Sequence, residues 1–217
     1  MADPMRYAAV IFDLDGTLLD TESLVFQASR RVVAKMGLPF DEPFFHSMVG
    51  KDDATCARMV QTRYPGVDHD AMYRHWMDER HRMYAAGIDL RPTAAALLAA
   101  LAPLGLPLAI ATSSLRESAA VKLRVTGLGA QFGAVVCAED VARKKPAPDP
   151  FLLAAERLGV APADCLAFED SLPGAASAIA AGMTVVHVPD VVRDIAPDAH
   201  FVADTILDGA RAAGLPV

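Results

Sequence analysis

Short apolar runs recur along the chain, and segments of helical length separate the later ones. This pattern restricts the fold more than any other feature. The first run, residues 7–12, is apolar without alternation, which is typical of a strand covered on both faces. Strands that alternate with helices of this length form right-handed crossovers and a parallel sheet. The predicted strands are residues 7–12, 106–111, 134–137, 165–168, 183–188 and 200–203.

The segment between the first two runs has a different character. It holds the only tryptophan, every tyrosine except Tyr7, and most of the histidines. Its apolar residues recur with a helical period, so we expect a helical insertion after the first strand. We therefore expect two domains: a core domain formed by residues 1–19 and 89–217, and a cap domain formed by residues 20–88.

Composition excludes several classes of protein. Hydrophobic residues make up 53% of the 217, which allows a sizeable core and excludes a disordered chain. The net charge of −7 argues against a broad basic surface, so we expect no nucleic acid as a partner. The 3 cysteines are far apart and form no CxxC pair, which favours free thiols.

We also expect no membrane partner. Residues 1–6 contain no apolar stretch of the kind found in signal peptides. The uncharged segment 92–114 is interrupted by Pro103, Gly105 and Pro107, and neither part reaches the roughly 20 apolar residues that span a bilayer. Together with the separated cysteines, this predicts a cytoplasmic protein.

Polar side chains follow four of the predicted strands. In an open parallel sheet, ligands bind outside the carboxyl ends of the strands, so we expect these side chains to converge at one edge. They are Asp13, Asp15, Thr112, Ser113, Ser114, Lys145, Glu169 and Asp170.

The residue types at this edge fit phosphoryl transfer. Carboxylates suit Mg²⁺, which binds one or two of them together with a substrate phosphate. Hydroxyls and a lysine suit phosphate oxygens, and a carboxylate can attack phosphorus to form an aspartyl-phosphate that water then opens. Asp13 and Asp15 are two residues apart, so on an extended chain both point the same way. One could attack while the other handles the proton of the leaving group.

At these positions the chain resembles the haloacid dehalogenase (HAD) superfamily of phosphohydrolases. The branch it resembles contains phosphoglycolate phosphatase and β-phosphoglucomutase and has a helical C1 cap. Residues 12–18 match the first motif, Thr112 the second, Lys145 the third and residues 169–171 the fourth, in the family's order. The resemblance covers essentially the whole chain. It implies an α/β fold, with a Rossmann-like parallel-sheet HAD core and an inserted all-helical cap domain.

The resemblance implies catalytic and metal-binding roles for four carboxylates. Asp13 would be the nucleophile and a Mg²⁺ ligand. Asp15 would be the general acid and base, and its backbone carbonyl would also bind the metal. Asp170 would complete the metal site with Glu169, which would bind either directly or through water.

It also implies how the phosphate is held. Thr112 would hydrogen-bond the transferring phosphoryl group, together with Ser113 and Ser114. Lys145 would neutralise Asp13 and the phosphate. The alternative is that Lys144, or the arginine before it, is the working cation.

Two further positions belong to the cap. Residues 49–53 look like the loop that selects the substrate in this branch, so Gly50 and Lys51 are candidate substrate-binding residues. The alternative is that Lys51 is a solvated lysine ahead of a helix. Glu22 either faces the leaving group or helps to start the first cap helix.

The function implied is a Mg²⁺-dependent phosphatase for a small phosphorylated metabolite, of the sugar phosphate or phosphoglycolate type, acting as a monomer or a homodimer. A sugar phosphomutase is the alternative, but mutases of this branch carry a histidine where this chain has Val25. The dehalogenases of the family attack carbon and need no second aspartate, and its phosphonoacetaldehyde hydrolases replace it. Asp15 argues against both. The presence of Asp13 and Asp15 also argues against a non-catalytic binding module.

Overall fold

The computed structural model describes residues 6–48, 53–190 and 194–217. Across these residues the strands form one parallel sheet in the order β3-β2-β1-β4-β5-β6. The sequence predicted every one of these strands to within two residues at either end, and the parallel α/β fold is confirmed. The strands are β1 (Ala9–Phe12), β2 (Leu108–Ala111), β3 (Ala134–Val136), β4 (Cys165–Glu169), β5 (Thr184–His187) and β6 (Phe201–Val202).

Helices separate the strands from β1 to β5, and two short helices were not predicted. Helix α2 has only five residues and α9 only seven, too few to show a clear helical period. Both begin at a side-chain cap, from Asp41 and Thr205 respectively. The helices are α1 (Thr21–Lys35), α2 (Glu42–His46), α3 (Asp53–Arg63), α4 (His69–Ala86), α5 (Ala94–Leu101), α6 (Arg116–Thr126), α7 (Asp149–Leu158), α8 (Leu172–Ala180) and α9 (Ile206–Ala212).

Helices cover both faces of the sheet. Apolar side chains of α5, α6 and α9 pack on one face, and those of α7 and α8 pack on the other. At the centre, Phe12 on β1 and Phe168 on β4 stack with ring centroids 5.0 Å apart and are fully buried. Burial of each ring contributes roughly 1.5–3 kcal/mol. The residues that directly follow β1 and β4 are thus anchored beside two fully buried, stacked rings.

Helices α1 to α4 lie between β1 and β2 in the chain and form an apolar cluster of their own, which includes Val32, Phe45 and Tyr64. Tyr84 of α4 is buried near α6 of the core. Tyr73, by contrast, is exposed. The domain limits at residues 20 and 88 stay a prediction. No helix among the described residues is long and apolar enough to cross a membrane.

Two segments connect the sheet with helices α1 to α4, and they lie side by side. The N–H of Asp20 donates to the carbonyl of Asp89 at 2.9 Å, and the N–H of Arg91 donates to the carbonyl of Leu18 at 2.9 Å. Between these bonds, Leu19 and Leu90 form an antiparallel bridge. The chain therefore leaves the core and returns to it through one two-stranded ribbon.

Candidate active site

A buried ion-pair network lies where β1 and β4 end. Asp13 follows β1 directly, and its N–H donates to the carbonyl of Phe168 at 2.9 Å. The Nζ atom of Lys145 lies 2.6 Å from Oδ1 of Asp13 and also donates to Oε1 of Glu169, the last residue of β4. All three side chains are almost completely buried. Lys145, rather than the exposed Lys144, is therefore the cation paired with Asp13.

Three carboxylates surround this single ammonium group. Ligand atoms of Asp13, Glu169 and Asp170 all lie within 4.8 Å of one another. Burial, with the neighbouring charges of Glu169 and Asp15, raises the pKa of Asp13 to about 8 despite Lys145. Burial and the charges of Asp13 and Glu169 likewise raise the pKa of Asp170 well above its usual range. The excess of negative charge and the hard oxygen donors fit a divalent cation such as Mg²⁺.

The three carboxylates differ in how many of their oxygens are engaged. Both oxygens of Glu169 accept hydrogen bonds, Oε1 from Lys145 and Oε2 from Ser171 at 3.1 Å from its N–H and 3.0 Å from its hydroxyl. Among the described residues, Asp13 accepts only through Oδ1, and Asp170 only through Oδ1, from the Thr17 hydroxyl at 3.0 Å. Asp13 and Asp170 each therefore keep one carboxylate oxygen available.

Backbone around these carboxylates is packed closely. Gly16 has φ of +83°, and a Cβ atom added there would overlap with the carboxylate of Asp170. On β5, Nδ1 of the buried His187 accepts from the N–H of Ala196 at 3.2 Å, so its Nε2 donates to the carbonyl of Asp170 at 2.9 Å. The loop that carries Asp170 is thus held from two sides.

Asp15 belongs to a second network, next to the first. The Nζ atom of Lys122 lies 2.5 Å from Oδ1 of Asp15, and the Ser114 hydroxyl donates to Oδ2 at 2.7 Å. Lys122 also donates to the Ser114 hydroxyl oxygen at 2.8 Å. Although burial acts to raise it, the charge of Lys122 and the hydrogen bonds from Lys122 and Ser114 hold the pKa of Asp15 below its usual range. Sequence reasoning missed Lys122.

The remaining predicted residues have different surroundings. The Thr112 hydroxyl accepts from the N–H of Ser114 at 3.0 Å and lies 3.5 Å from Oδ2 of Asp15. The Ser114 hydroxyl donates to Asp15, and Ser113 is exposed. That Thr112, Ser113 and Ser114 bind phosphate stays a prediction. Gly50 and Lys51 lie outside the described residues, so their roles stay predictions.

Glu22, at the start of α1, lies on the Asp15 side of the site. Burial, followed by the charges of Asp15 and Asp190, raises its pKa to about 7. The side chain is half-buried and has no hydrogen bond to any described residue. The charge of Lys122, which is paired with Asp15, opposes this shift in the pKa of Glu22 without cancelling it.

The sequence profile of the family described as "Haloacid dehalogenase-like hydrolase" matches residues 10–188, which contain every carboxylate and lysine of both networks. The chain belongs to this family. The HAD resemblance predicted from the motifs is confirmed.

Relatives of this HAD-like chain include enzymes named for phosphorylated carbohydrates. Fructose-1-phosphate phosphatase YqaB of Escherichia coli is 35% identical over 84% of this chain and 97% of its own length. Hexitol phosphatase A of the same organism is 36% identical over 85% of this chain and 84% of its own length.

A solved structure has the same fold. It is a HAD family hydrolase from Deinococcus radiodurans with bound phosphate and sodium. It is 29% identical to this chain, with a TM-score of 0.80, and the alignment covers 96% of this chain and 95% of that protein.

Proposed function

We propose that this HAD-like hydrolase is a Mg²⁺-dependent phosphatase that releases phosphate from a small sugar phosphate or a related phosphorylated metabolite. The observation that carries the proposal is the pairing of Asp13 with Lys145 inside the carboxylate cluster. This pairing leaves one oxygen of Asp13 free beside a cation, as attack on an anionic phosphate requires. The names of the two relatives support a phosphorylated carbohydrate as the substrate.

Asp13 is the nucleophile in this mechanism. Lys145 holds Oδ1, so Oδ2 attacks phosphorus, the bond to the leaving oxygen breaks, and an aspartyl-phosphate forms. Asp15, protonated when the substrate is bound, gives this proton to the leaving oxygen and becomes a carboxylate. It then takes a proton from the water that attacks the aspartyl-phosphate, which releases inorganic phosphate and frees Asp13.

Asp13 and Asp170 would hold Mg²⁺, with the backbone carbonyl of Asp15 as a further ligand. Glu169, whose oxygens are both engaged, orients Lys145 and would support the metal through water. When bound, Mg²⁺ supplies Lewis-acid charge stabilisation between the carboxylates and the phosphate.

The rest of the substrate lies on the side of Asp15 and Glu22, where the leaving oxygen must be. Gly50 and Lys51, in the predicted specificity loop, are the proposed contacts for it. We also propose that the protein is cytoplasmic and acts as a monomer or a homodimer. Val25, half-buried on α1, stands where the mutases of this branch have a histidine, so the phosphatase is favoured over the mutase.

The test is phosphate release from a panel of sugar phosphates, phosphoglycolate, nucleotides and an aryl phosphate, with and without Mg²⁺. We expect release that requires Mg²⁺ and is highest for a sugar phosphate. Asp13→Asn serves as the blank, and Asp198→Asn, at an exposed aspartate, is the matched control.

Two results would contradict the proposal. Equal release by wild type and Asp13→Asn would exclude the aspartyl-phosphate. No release from any sugar phosphate, together with conversion of β-glucose 1-phosphate to the 6-phosphate, would establish the mutase instead.

A further inference from the structure

Lys122 is a buried lysine that the mechanism above does not use. It lies on α6 with only 3% of its side chain exposed. Ala119 and Leu123 are also buried, so Lys122 occupies the face of α6 that packs inward. A buried ammonium group is unfavourable unless it is paired and hydrogen-bonded, so its partners define what it does there.

The partners of Lys122 form a closed triangle. Its Nζ atom donates to Oδ1 of Asp15 at 2.5 Å and to the Ser114 hydroxyl at 2.8 Å. The Ser114 hydroxyl in turn donates to Oδ2 of Asp15 at 2.7 Å. Both oxygens of Asp15 are therefore held, which fixes the plane of the carboxyl group. The ring of Tyr84 lies 5.2 Å from Nζ and covers the ammonium group.

Stability alone is a poor explanation for this pair. Buried ion pairs are often no more stable than apolar residues of similar volume, because desolvation offsets the attraction. Proton transfer, by contrast, requires that donor and acceptor atoms come within about 2.6–3.2 Å, so a carboxyl group free to rotate would be a poor acid.

We propose that Lys122 is a positioning residue that fixes the Asp15 carboxyl for proton transfer to the leaving oxygen. The inference rests on the proposed function, in which Asp15 is the general acid. The site then has one lysine for each catalytic aspartate: Lys145 on the side of attack and Lys122 on the side of departure.

Comparing kcat/KM for two different leaving groups distinguishes a positioning role of Lys122 from a merely structural one. A sugar alkoxide needs a proton as it departs, whereas p-nitrophenolate departs without one. The value of kcat/KM reports the steps up to departure of the leaving group, before water attacks the aspartyl-phosphate. Loss of the aligned acid should therefore lower kcat/KM for the sugar phosphate and leave that for p-nitrophenyl phosphate nearly unchanged.

The experiment compares wild type with Lys122→Met on p-nitrophenyl phosphate and on the best sugar phosphate of the panel. We expect kcat/KM for the sugar phosphate to fall about 10²-fold, at the lower end of what general acid catalysis contributes. Lys144→Met, at an exposed lysine near the site, should change neither value. In an Asp15→Asn background, Lys122→Met should cause no further loss, because Lys122 acts through Asp15.

Equal losses on both substrates, no loss on either, or a further loss in the Asp15→Asn background would each overturn the inference. If Lys122→Met does not fold, Lys122→Gln applies the same comparison with a neutral donor of similar reach. A wild-type chain with no activity on either substrate would overturn the proposed function and this inference with it. An active wild type with equal losses would overturn the inference alone.

Discussion

Gly174 of α8 lies directly against the carboxylate of Glu169. A Cβ atom added at Gly174 would overlap with that carboxylate. Glu169 is fully buried and bonded to Lys145 and Ser171, so it has no free space into which it could retreat. The helix that follows β4 therefore approaches the carboxylate cluster as closely as only a glycine allows.

Gly174→Ala should consequently displace the carboxylate of Glu169. We expect the free energy of unfolding to fall by about 1–3 kcal/mol, as is usual when a buried site is overpacked. Phosphate release should fall too, because a displaced Glu169 no longer orients Lys145. Gly129→Ala is the matched control, since a Cβ atom there meets only ordinary contacts. Denaturant unfolding and the phosphate assay test both effects, and an unchanged variant would contradict the packing argument.

Asp13→Asn keeps the size of the side chain and removes the attacking oxygen. We expect phosphate release to fall to the level of the blank. The melting temperature should stay the same or rise, because one charge leaves a crowded cluster. Thermal melting and the phosphate assay, carried out on the same preparation, separate the two effects. A variant that lost activity only because it unfolded would show a lower melting temperature.

Mg²⁺ binding should strengthen as the pH rises towards 8. The pKa of Asp13 is raised to about 8 and that of Asp170 is raised well above its usual range, so metal-free protein holds protons that Mg²⁺ must displace. Below pH 8, the affinity should rise about tenfold per pH unit for each proton released. The shift in melting temperature at a fixed Mg²⁺ concentration measures this at pH 6 and pH 8. Asp170→Asn should reduce the shift at both, and an affinity independent of pH would contradict the prediction.

The raised pKa of Glu22 predicts that this residue lowers the free energy of unfolding at high pH. Its pKa is about 7 in the folded protein and 4.5 in a model peptide, so the folded state favours the protonated form. This loss of stability is absent below pH 4.5, grows as the pH rises from 4.5 to about 7, and is complete above pH 7. Glu22→Gln should therefore be as stable as wild type at pH 4. At pH 8 it should be more stable by on the order of 2 kcal/mol.

Urea unfolding of both proteins at the two pH values measures this difference. Taking the difference between variant and wild type cancels the titration of all other groups. Glu156→Gln, at an exposed position on α7, should show no such dependence. A difference that stayed constant from pH 4 to pH 8 would mean that Glu22 titrates as it does in water.

The sheet and the first network could be predicted from sequence because they follow from one regular pattern. Each apolar run ends where its polar motif begins, so the ends of the strands place Asp13, Glu169 and Asp170 at one edge. The strand order was not predicted, because apolar runs carry no information on which strand pairs with which.

Lys122 escaped prediction because a lysine on a helix is usually solvated. The available signal was its spacing: it lies three residues after Ala119 and one before Leu123, on the apolar face of α6. Only the folded structure shows that Asp15 lies opposite this position. The pairing of Ser114 with Asp15 was not predicted for the same reason, since it joins side chains from distant parts of the chain.

The ribbon formed by residues 18–20 and 89–91 keeps the two ends of the helical insertion next to each other. The register of β1 against β2 is therefore independent of how many residues lie between the ribbon's two strands. Evolution can lengthen, shorten or exchange the insertion without rethreading the sheet. In the proposed function the insertion contacts the substrate and the edge of the sheet carries the chemistry, so the ribbon allows one to vary while the other is kept.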